Sequence, residues 1–221
     1  MPDQNSLQRI RIQYQVNYPI QYIGQLDMQS VWERIFRRAN LPVAYSQGFN
    51  PQPRLHLACA LPLGFQSKCE LVDVWLKEPI PVEKIYEHLK GKEQPGLTIK
   101  TISEVPLSLP ALQNTIVSAE YICEIVNPPN NISLQQQIDQ LLNQTQIIRQ
   151  RRGKTYDLRP LIHNLFIIDD SNPIQPKLGM TLKTQAGATG RPDEVLLELG
   201  IDPFAARITR TTLHRDDLIK P

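Results

Sequence analysis

The order in which hydrophobic periodicity changes along residues 9–101 constrains the fold more than any other feature of this chain. Residues 9–16 alternate apolar and polar side chains, which predicts a strand with one buried face. Apolar residues then recur at helical spacing after Asp27, the expected N-cap, and again after Pro81. Extended runs separate and follow the two helices at 55–60, 71–76 and 97–101. This order, strand–helix–strand–strand–helix–strand, predicts a split βαβ, ferredoxin-like arrangement.

The second part of the chain repeats this order of elements without repeating the residues themselves. A strand pattern over 120–126 leads into a helical stripe from Leu134, and a later helix is expected from Pro192. An insertion around 153–165 interrupts the repeat. We therefore predict an α+β protein of two tandem ferredoxin-like (βαββαβ) halves. The expected boundaries are a tail at 1–7, halves at 8–105 and 117–215, a linker at 106–116 and a tail at 216–221.

Composition limits the class of protein. The 221 residues carry a net charge of +2 and are 41% hydrophobic, which is typical of a globular protein and too weakly basic to indicate a nucleic-acid partner by itself. Three widely spaced cysteines, Cys59, Cys69 and Cys123, match neither a disulfide framework nor a zinc site. The sequence shows no secretory signal pattern and no apolar run that is long enough to span a membrane. We expect a reduced, cytoplasmic protein with no membrane partner.

Residues 44–54, Ala-Tyr-Ser-Gln-Gly-Phe-Asn-Pro-Gln-Pro-Arg, are the strongest candidate binding segment. The glycine and the prolines impose an unusual backbone path, and aromatic and amide side chains line that path. Tyr45 and Phe49 are expected to stack on a base, Asn50 to read a base edge and Arg54 to hold a phosphate. The alternative is a rigid connection between two elements, with Phe49 in the core.

Arginines in three places are candidates for binding phosphate. Arg37 and Arg38 belong to the first predicted helix, where a solvated helix face is the alternative. Arg151 and Arg152 belong to a predicted basic hairpin, which a charged edge strand that resists aggregation explains equally well. Arg191 follows a small-residue loop before a predicted helix, where an ordinary turn and cap is the alternative. The predicted RNA-binding residues are Tyr45, Phe49, Asn50, Arg54, Arg37, Arg38, Arg151, Arg152 and Arg191.

The sequence contains no pattern typical of a catalytic or metal-binding site. The histidines, at 56, 88, 163 and 214, are scattered and lack the spacing of metal ligands. No serine has a base close to it in sequence. We therefore predict no catalytic residue, no metal and no cofactor in this chain. Asp73 falls within a predicted strand, so it needs a buried partner unless it lies on the exposed face that alternation allows.

Several segments, taken in order, resemble one known family: 22–39, 44–54, 60–64 (Ala-Leu-Pro-Leu-Gly), 157–160 (Asp-Leu-Arg-Pro), 190–195 (Gly-Arg-Pro-Asp-Glu-Val) and 207–211 (Arg-Ile-Thr-Arg-Thr). The chain is similar to the bacterial radical-SAM-linked domain, which occurs alone or as a C-terminal fusion to a cobalamin-binding radical SAM protein. The resemblance implies a radical SAM partner, in trans or fused, that carries the S-adenosylmethionine, the iron–sulfur cluster and the cobalamin. Genes of the family lie near those for ribonuclease E/G-type or ribosomal proteins, which implies an RNA context.

This chain departs from the family pattern in the loop. Gln47 and Gln52 stand where the family commonly carries an acidic residue and a histidine, so a metal or acid–base role for the loop is not expected. The cluster of three cysteines that binds a radical SAM iron–sulfur centre is also absent from the sequence. The chain is therefore not expected to be the radical enzyme.

Three functions are compatible with these observations. The first is an RNA-binding accessory module that presents tRNA or rRNA to a radical SAM modifying enzyme, and RNA-binding proteins of the CRISPR repeat-processing class share the predicted tandem layout in outline. The second is a protein–protein adaptor that docks on the radical SAM partner without contacting nucleic acid. The third is a metal-independent RNA-cleaving enzyme that uses Tyr45, His56 or His214 as general acid–base groups.

Overall fold

The computed structural model of the protein describes residues 7–126, 134–151, 153–168, 175–185 and 187–216. These residues form two compact units. Unit 1 contains the described residues up to Ile116 together with Asp216, and unit 2 contains those from Val117 to Arg215. Both units combine helices with antiparallel strands.

Unit 1 is built on one antiparallel sheet. Its elements are β1 (Gln8–Val16), α1 (Gln25–Arg38), β2 (Leu55–Leu57), β3 (Gln66–Leu76), α2 (Val82–Leu89), β4 (Leu97–Val105) and the short α3 (Leu112–Thr115). Strand β1 pairs antiparallel with β3 on one side and with β4 on the other, and β2 pairs antiparallel with β3. The order across the sheet is therefore β4–β1–β3–β2.

One face of this sheet and the apolar faces of α1 and α2 form the core of unit 1. Ile10 and Ile12 alternate inward from β1, as their period of two predicts. The α1 side chains meet them at a period near 3.6, with Trp32 stacked on Phe36 at 5.2 Å between ring centroids. The Trp32 ring also meets the edge of Tyr14 at 4.9 Å, so an aromatic cluster anchors α1 to β1.

Helix α1 differs from its predicted limits at both ends. Gly24, not Asp27, is the N-cap, because its extended backbone turns its carbonyl oxygen to accept from the Met28 N–H (2.9 Å). Asp27 lies in the first turn, where a carboxylate favours the positive end of the helix dipole. The helix ends at Arg38, before Pro42, because Asn40 takes a left-handed conformation (φ 51°) that a short amide side chain tolerates.

The second face of β1 is buried along its first half, which the simple alternation of polar residues did not predict. Arg9 and Asp73 are 1% and 0% exposed. The Arg9 Nε and Nη2 donate to Asp73 Oδ2 (2.9 and 2.6 Å), and the Arg11 Nε donates to Oδ1 (2.7 Å). Of the two possibilities for Asp73, the structure shows the buried partner and not the exposed face, because two buried guanidinium groups neutralise the carboxylate.

The segment before α3 covers this charged cluster. Arg9 donates from Nη1 to the carbonyl oxygen of Leu109 (2.7 Å) and from Nη2 to that of Pro110 (2.8 Å). Each carbonyl oxygen accepts a charge-assisted bond, which is stronger than a neutral one. The cluster therefore holds residues 109–110 against the sheet.

Unit 2 is a second antiparallel assembly. Its elements are β5 (Ile116–Ile125), α4 (Leu134–Asn143), β6 (Ile148–Arg151), β7 (Lys154–Asp157), β8 (Ile162–Ile168), β9 (Lys177–Gln185), β10 (Ala188–Thr189), α5 (Pro192–Glu198) and β11 (Ala206–Arg215). Strand β9 pairs antiparallel with β5 and with β8, and β11 lies beside β5. A separate hairpin, β6–β7, begins before the insertion predicted around 153–165, and only its second strand lies within that insertion.

These elements confirm the predicted α+β class with antiparallel sheets. The finer prediction of tandem ferredoxin-like halves stays a prediction. Within the described ranges, no helix has both the length and the apolar character needed to cross a bilayer.

Candidate nucleic-acid interface

The predicted binding segment forms a closed loop with an exposed tip. The Ser46 N–H donates to the Gln52 carbonyl oxygen (2.8 Å), and the Gln52 N–H donates to Ser46 Oγ (2.9 Å). A β-bridge between Tyr45 and Pro53 closes the base below them. At the tip, the Phe49 side chain is fully exposed, so the alternative that places it in the core is wrong. The loop therefore has a hydrogen-bonded base and an exposed aromatic ring at its tip.

Beside the base of this loop lies a groove along α1, which we call the α1 groove. Its lining includes Tyr45, Arg34, Arg37 and Lys77, together with Asp27 and Glu33. The Tyr45 ring is 51% exposed, and Lys77 Nζ lies 5.7 Å from its centroid. Three cations, two carboxylates and one aromatic ring thus line the groove.

Arg38 is next to Arg37 in sequence but has a different role. It donates from Nη2 to the Lys92 carbonyl oxygen (2.6 Å). With the Gln94 amide oriented by its hydrogen bonds, the amide oxygen also accepts from both terminal nitrogens of Arg38 (3.0 Å each). Arg38 therefore ties residues 92–94 to the end of α1 and does not line the groove.

Arg54, at the far end of the loop, packs on Trp75. Its guanidinium lies 5.0 Å from the indole centroid, and the guanidinium of Arg9 lies 4.8 Å from the same ring. The His56 ring meets Trp75 edge-on at 4.9 Å. Arg54 remains exposed, so it can still reach a phosphate, but it lies outside the lining of the α1 groove. Asn50 is an exposed residue of the loop tip.

The surroundings of His56 lower its pKa below the ordinary value of 6.5. Partial burial is the main cause and the positive charge of Arg9 is the second, while Asp73 opposes them and Arg54 adds to them. The unfolded chain therefore takes up a proton near pH 6.5 that the folded chain takes up only at lower pH.

This difference predicts a pH dependence of stability. The free energy of unfolding of unit 1 should decrease as the pH falls below about 6.5, and should stop responding to His56 once the pH passes its lowered folded pKa. Urea titrations over this pH range, followed by tryptophan fluorescence, measure the slope. His56→Gln should flatten it, and an unchanged slope in that variant would contradict the assignment to His56.

Two predicted residues of unit 2, Arg151 and Arg191, have acidic partners within the chain, as does the neighbouring Arg149. Arg149 Nε donates to Glu194 (3.0 Å), and Arg149 Nη1 lies 3.4 Å from a Glu198 oxygen. Arg151 lies 3.9 Å from Glu194, and Arg191 Nη2 donates to Asp193 Oδ2 (2.6 Å). The carboxylates of α5 therefore offset much of the positive charge of the hairpin, which weakens it as a phosphate site.

Arg151 and Arg191 do line one open depression of unit 2, together with Lys154, Tyr156 and Thr189. Arg152, the remaining predicted residue of the hairpin, lies outside the described residues.

No group of three or more metal-binding side chains converges anywhere in the described ranges. His214 Nε2 lies 2.8 Å from Glu120 Oε1, and His88 Nδ1 lies 2.9 Å from the Ala39 carbonyl oxygen. Burial raises the pKa of the Cys123 thiol, which makes this cysteine inert.

Sequence reasoning missed Lys77, Gln94 and the closing role of Ser46. Lys77 follows a buried strand, and nothing in its own segment relates it to Tyr45. The Ser46–Gln52 spacing is the one local signal, because a serine hydroxyl often accepts from a backbone N–H of its own loop.

Comparisons with known proteins give a family and little beyond it. No curated protein matches the chain. One similar solved structure is a putative glycine cleavage system transcriptional repressor, which is 10% identical, with 95% of this chain and 99% of that chain covered and a TM-score of 0.25. A family model, described as an uncharacterized protein conserved in bacteria (DUF2344), matches residues 9–192. Because the matched residues make up most of this chain, the chain belongs to the DUF2344 family.

Proposed function

We propose that this protein is an RNA-binding accessory module. The observation that carries the proposal is the α1 groove, which Arg34, Arg37 and Lys77 line together with the half-exposed ring of Tyr45. The carboxylates of Asp27 and Glu33 offset only part of this positive charge. Cations along a groove with an aromatic ring in it are the usual means of holding single-stranded nucleic acid. The exposed Phe49 at the tip of the adjacent loop offers a second ring for stacking.

The proposal includes the tandem ferredoxin-like layout. In unit 1 the strand order β4–β1–β3–β2, in which each strand is antiparallel to its neighbour, supports it. In unit 2 the order is β11–β5–β9–β8, if the short strands β6, β7 and β10 are left out. When β5, β8, β9 and β11 are counted as the first to fourth strands, this is the same fourth–first–third–second order as in unit 1. Both orders agree with the split βαββαβ arrangement.

We further propose that the module presents tRNA or rRNA to a radical SAM enzyme. This step depends on the sequence resemblance alone. The enzyme, and not this chain, would carry the S-adenosylmethionine, the iron–sulfur cluster and the cobalamin. The present chain contributes the surface that holds the RNA.

A salt series of RNA filter binding tests the RNA proposal. We expect wild-type affinity to fall with salt, and the double variant Arg34→Ala/Arg37→Ala to reduce the slope of log K against log salt by about 1.4, or about 0.7 for each phosphate contact to a single strand. The matched control is Lys84→Ala/Lys90→Ala, which removes two exposed positive charges from the α2 region of the same unit. Equal slopes in the double variant and wild type, or no RNA retention at low salt, would contradict the proposal.

A protein–protein adaptor is the second candidate, and a set of exposed apolar and aromatic residues favours it. Tyr18, Tyr22, Leu26 and Leu63 are exposed. The segments 17–26 and 60–66 that carry them contain no charged residue. Protein interfaces are depleted of charge and enriched in tyrosine at their centres. Retention of the radical SAM partner by a chain that binds no RNA would establish this function instead.

A further inference from the structure

A second concave surface shares Arg34 with the α1 groove, and we call it the Gln94 depression. It has a volume of about 370 Å³ and is lined by Pro19, Ile20, Ile23, Val31, Arg34, Gln94 and Pro95. Ile20 and Val31 are buried and give it an apolar floor. Arg34 and Gln94 are its polar lining residues. An apolar surface with a few convergent polar groups is the usual composition of a small-ligand site.

The Gln94 wall is held in place by Arg38. Arg38 binds the Lys92 carbonyl oxygen and the Gln94 amide oxygen, so the segment that carries Gln94 is fixed to the end of α1. Because Arg38 occupies the amide oxygen, any polar contact from the Gln94 side chain to a ligand has to come from its Nε2 donors. Arg38, which the sequence analysis proposes as a phosphate-binding residue, therefore acts as a positioning residue for Gln94.

Arg34 connects the depression to the α1 groove, because it lines both. Its Nε donates to the Ser30 carbonyl oxygen (3.1 Å), which orients the guanidinium and leaves the terminal nitrogens for a ligand. A strand whose phosphates follow the groove would therefore have a base within reach of the depression. The donors of Arg34 and Gln94 match the acceptor atoms on a base edge, and the apolar floor matches a base face.

We propose that the Gln94 depression binds one unpaired nucleobase of the RNA that the α1 groove holds. The inference rests on the proposed RNA-binding function and adds its substrate class, which is single-stranded or looped RNA. A paired base cannot enter, because its edge is already engaged by its partner and its faces by its neighbours in the stack. The depression thus selects unpaired RNA, while the cations of the groove bind the backbone.

The test compares a short single-stranded RNA with the same strand annealed to its complement, by fluorescence anisotropy on the full chain. The central variant is Gln94→Glu, which keeps an acceptor oxygen for Arg38 and removes the amide donors. We expect wild type to prefer the single strand, and Gln94→Glu to lower single-strand affinity about tenfold and to leave duplex affinity unchanged. The control is Gln144→Glu, which makes the same chemical change at an exposed position of unit 2.

The outcomes separate this inference from the function on which it rests. If neither RNA binds, the proposed function fails and this inference fails with it. If both RNAs bind through Arg34 and Arg37 but Gln94→Glu behaves like Gln144→Glu, the depression is not a base site and the RNA-binding function stands. Photo-crosslinking of thiouridine-substituted RNA to the wild-type chain needs no variant: crosslinks in the peptides around Ile23 or Pro95 support the site, and crosslinks confined to other peptides overturn it.

Discussion

Replacing Asp73 with asparagine is expected to lower the free energy of unfolding of unit 1 by about 3–5 kcal/mol, because it leaves two buried guanidinium groups without their carboxylate. Arg9 and Arg11 both donate to Asp73, and all three side chains are buried. An asparagine amide keeps the size and one acceptor but removes the negative charge that offsets the desolvation of both arginines. Urea unfolding, followed by tryptophan fluorescence, measures the change.

Both tryptophans of the chain, Trp32 and Trp75, belong to unit 1, so their fluorescence reports on the unit that contains Asp73. The control is Glu87→Gln, which removes an exposed carboxylate from α2 and should change stability by less than about 0.5 kcal/mol. A loss of similar size in the two variants would show that the buried cluster does not stabilise unit 1. Loss of folding in Asp73→Asn would agree with the expectation.

The second large effect is expected at Gly96. Its φ is +88°, and a Cβ atom placed there would lie 2.7 Å from the Asn17 carbonyl oxygen and 2.8 Å from that of Tyr18. The Asn17 N–H also donates to the Gly96 carbonyl oxygen (2.8 Å), which keeps the two segments close. Gly96→Ala therefore combines a left-handed backbone with a clash against backbone atoms, and should destabilise unit 1 by about 3 kcal/mol in the same urea assay.

Gly91→Ala separates the two contributions. Gly91 also has a positive φ, +74°, but no neighbouring atom lies within 4 Å of the position of an added Cβ. This variant should lose about 1–2 kcal/mol, the cost of the left-handed backbone alone. Equal losses at Gly91 and Gly96 would rule out the steric part of the argument. Because Gly96 follows Pro95, which lines the Gln94 depression, the Gly96 variant should also lower the affinity of that depression for a ligand.

Some of the fold could be predicted because its causes are local. Alternation placed Ile10 and Ile12 on one face of β1, and helical spacing placed Trp32 and Phe36 on one face of α1; the structure buries all four. The turn residues likewise indicated the loop at 44–54, since proline and glycine act on the backbone of their own segment. The partners of Asp73 could not be predicted in this way, because they lie 62 and 64 residues away.

The candidate site shows the same division. The sequence indicated Tyr45 and Arg37 as site residues, since aromatic and cationic residues are recognisable by type. It could not place Lys77 beside Tyr45, or show that Arg38 fixes Gln94 while Arg37 lines the groove. By itself, the sequence determined which residues are apolar at a given period and where the backbone turns, because both depend on near neighbours. Only the tertiary structure decided which polar face is covered and which cations remain available, because strand pairing and loop packing join segments that are far apart in the chain.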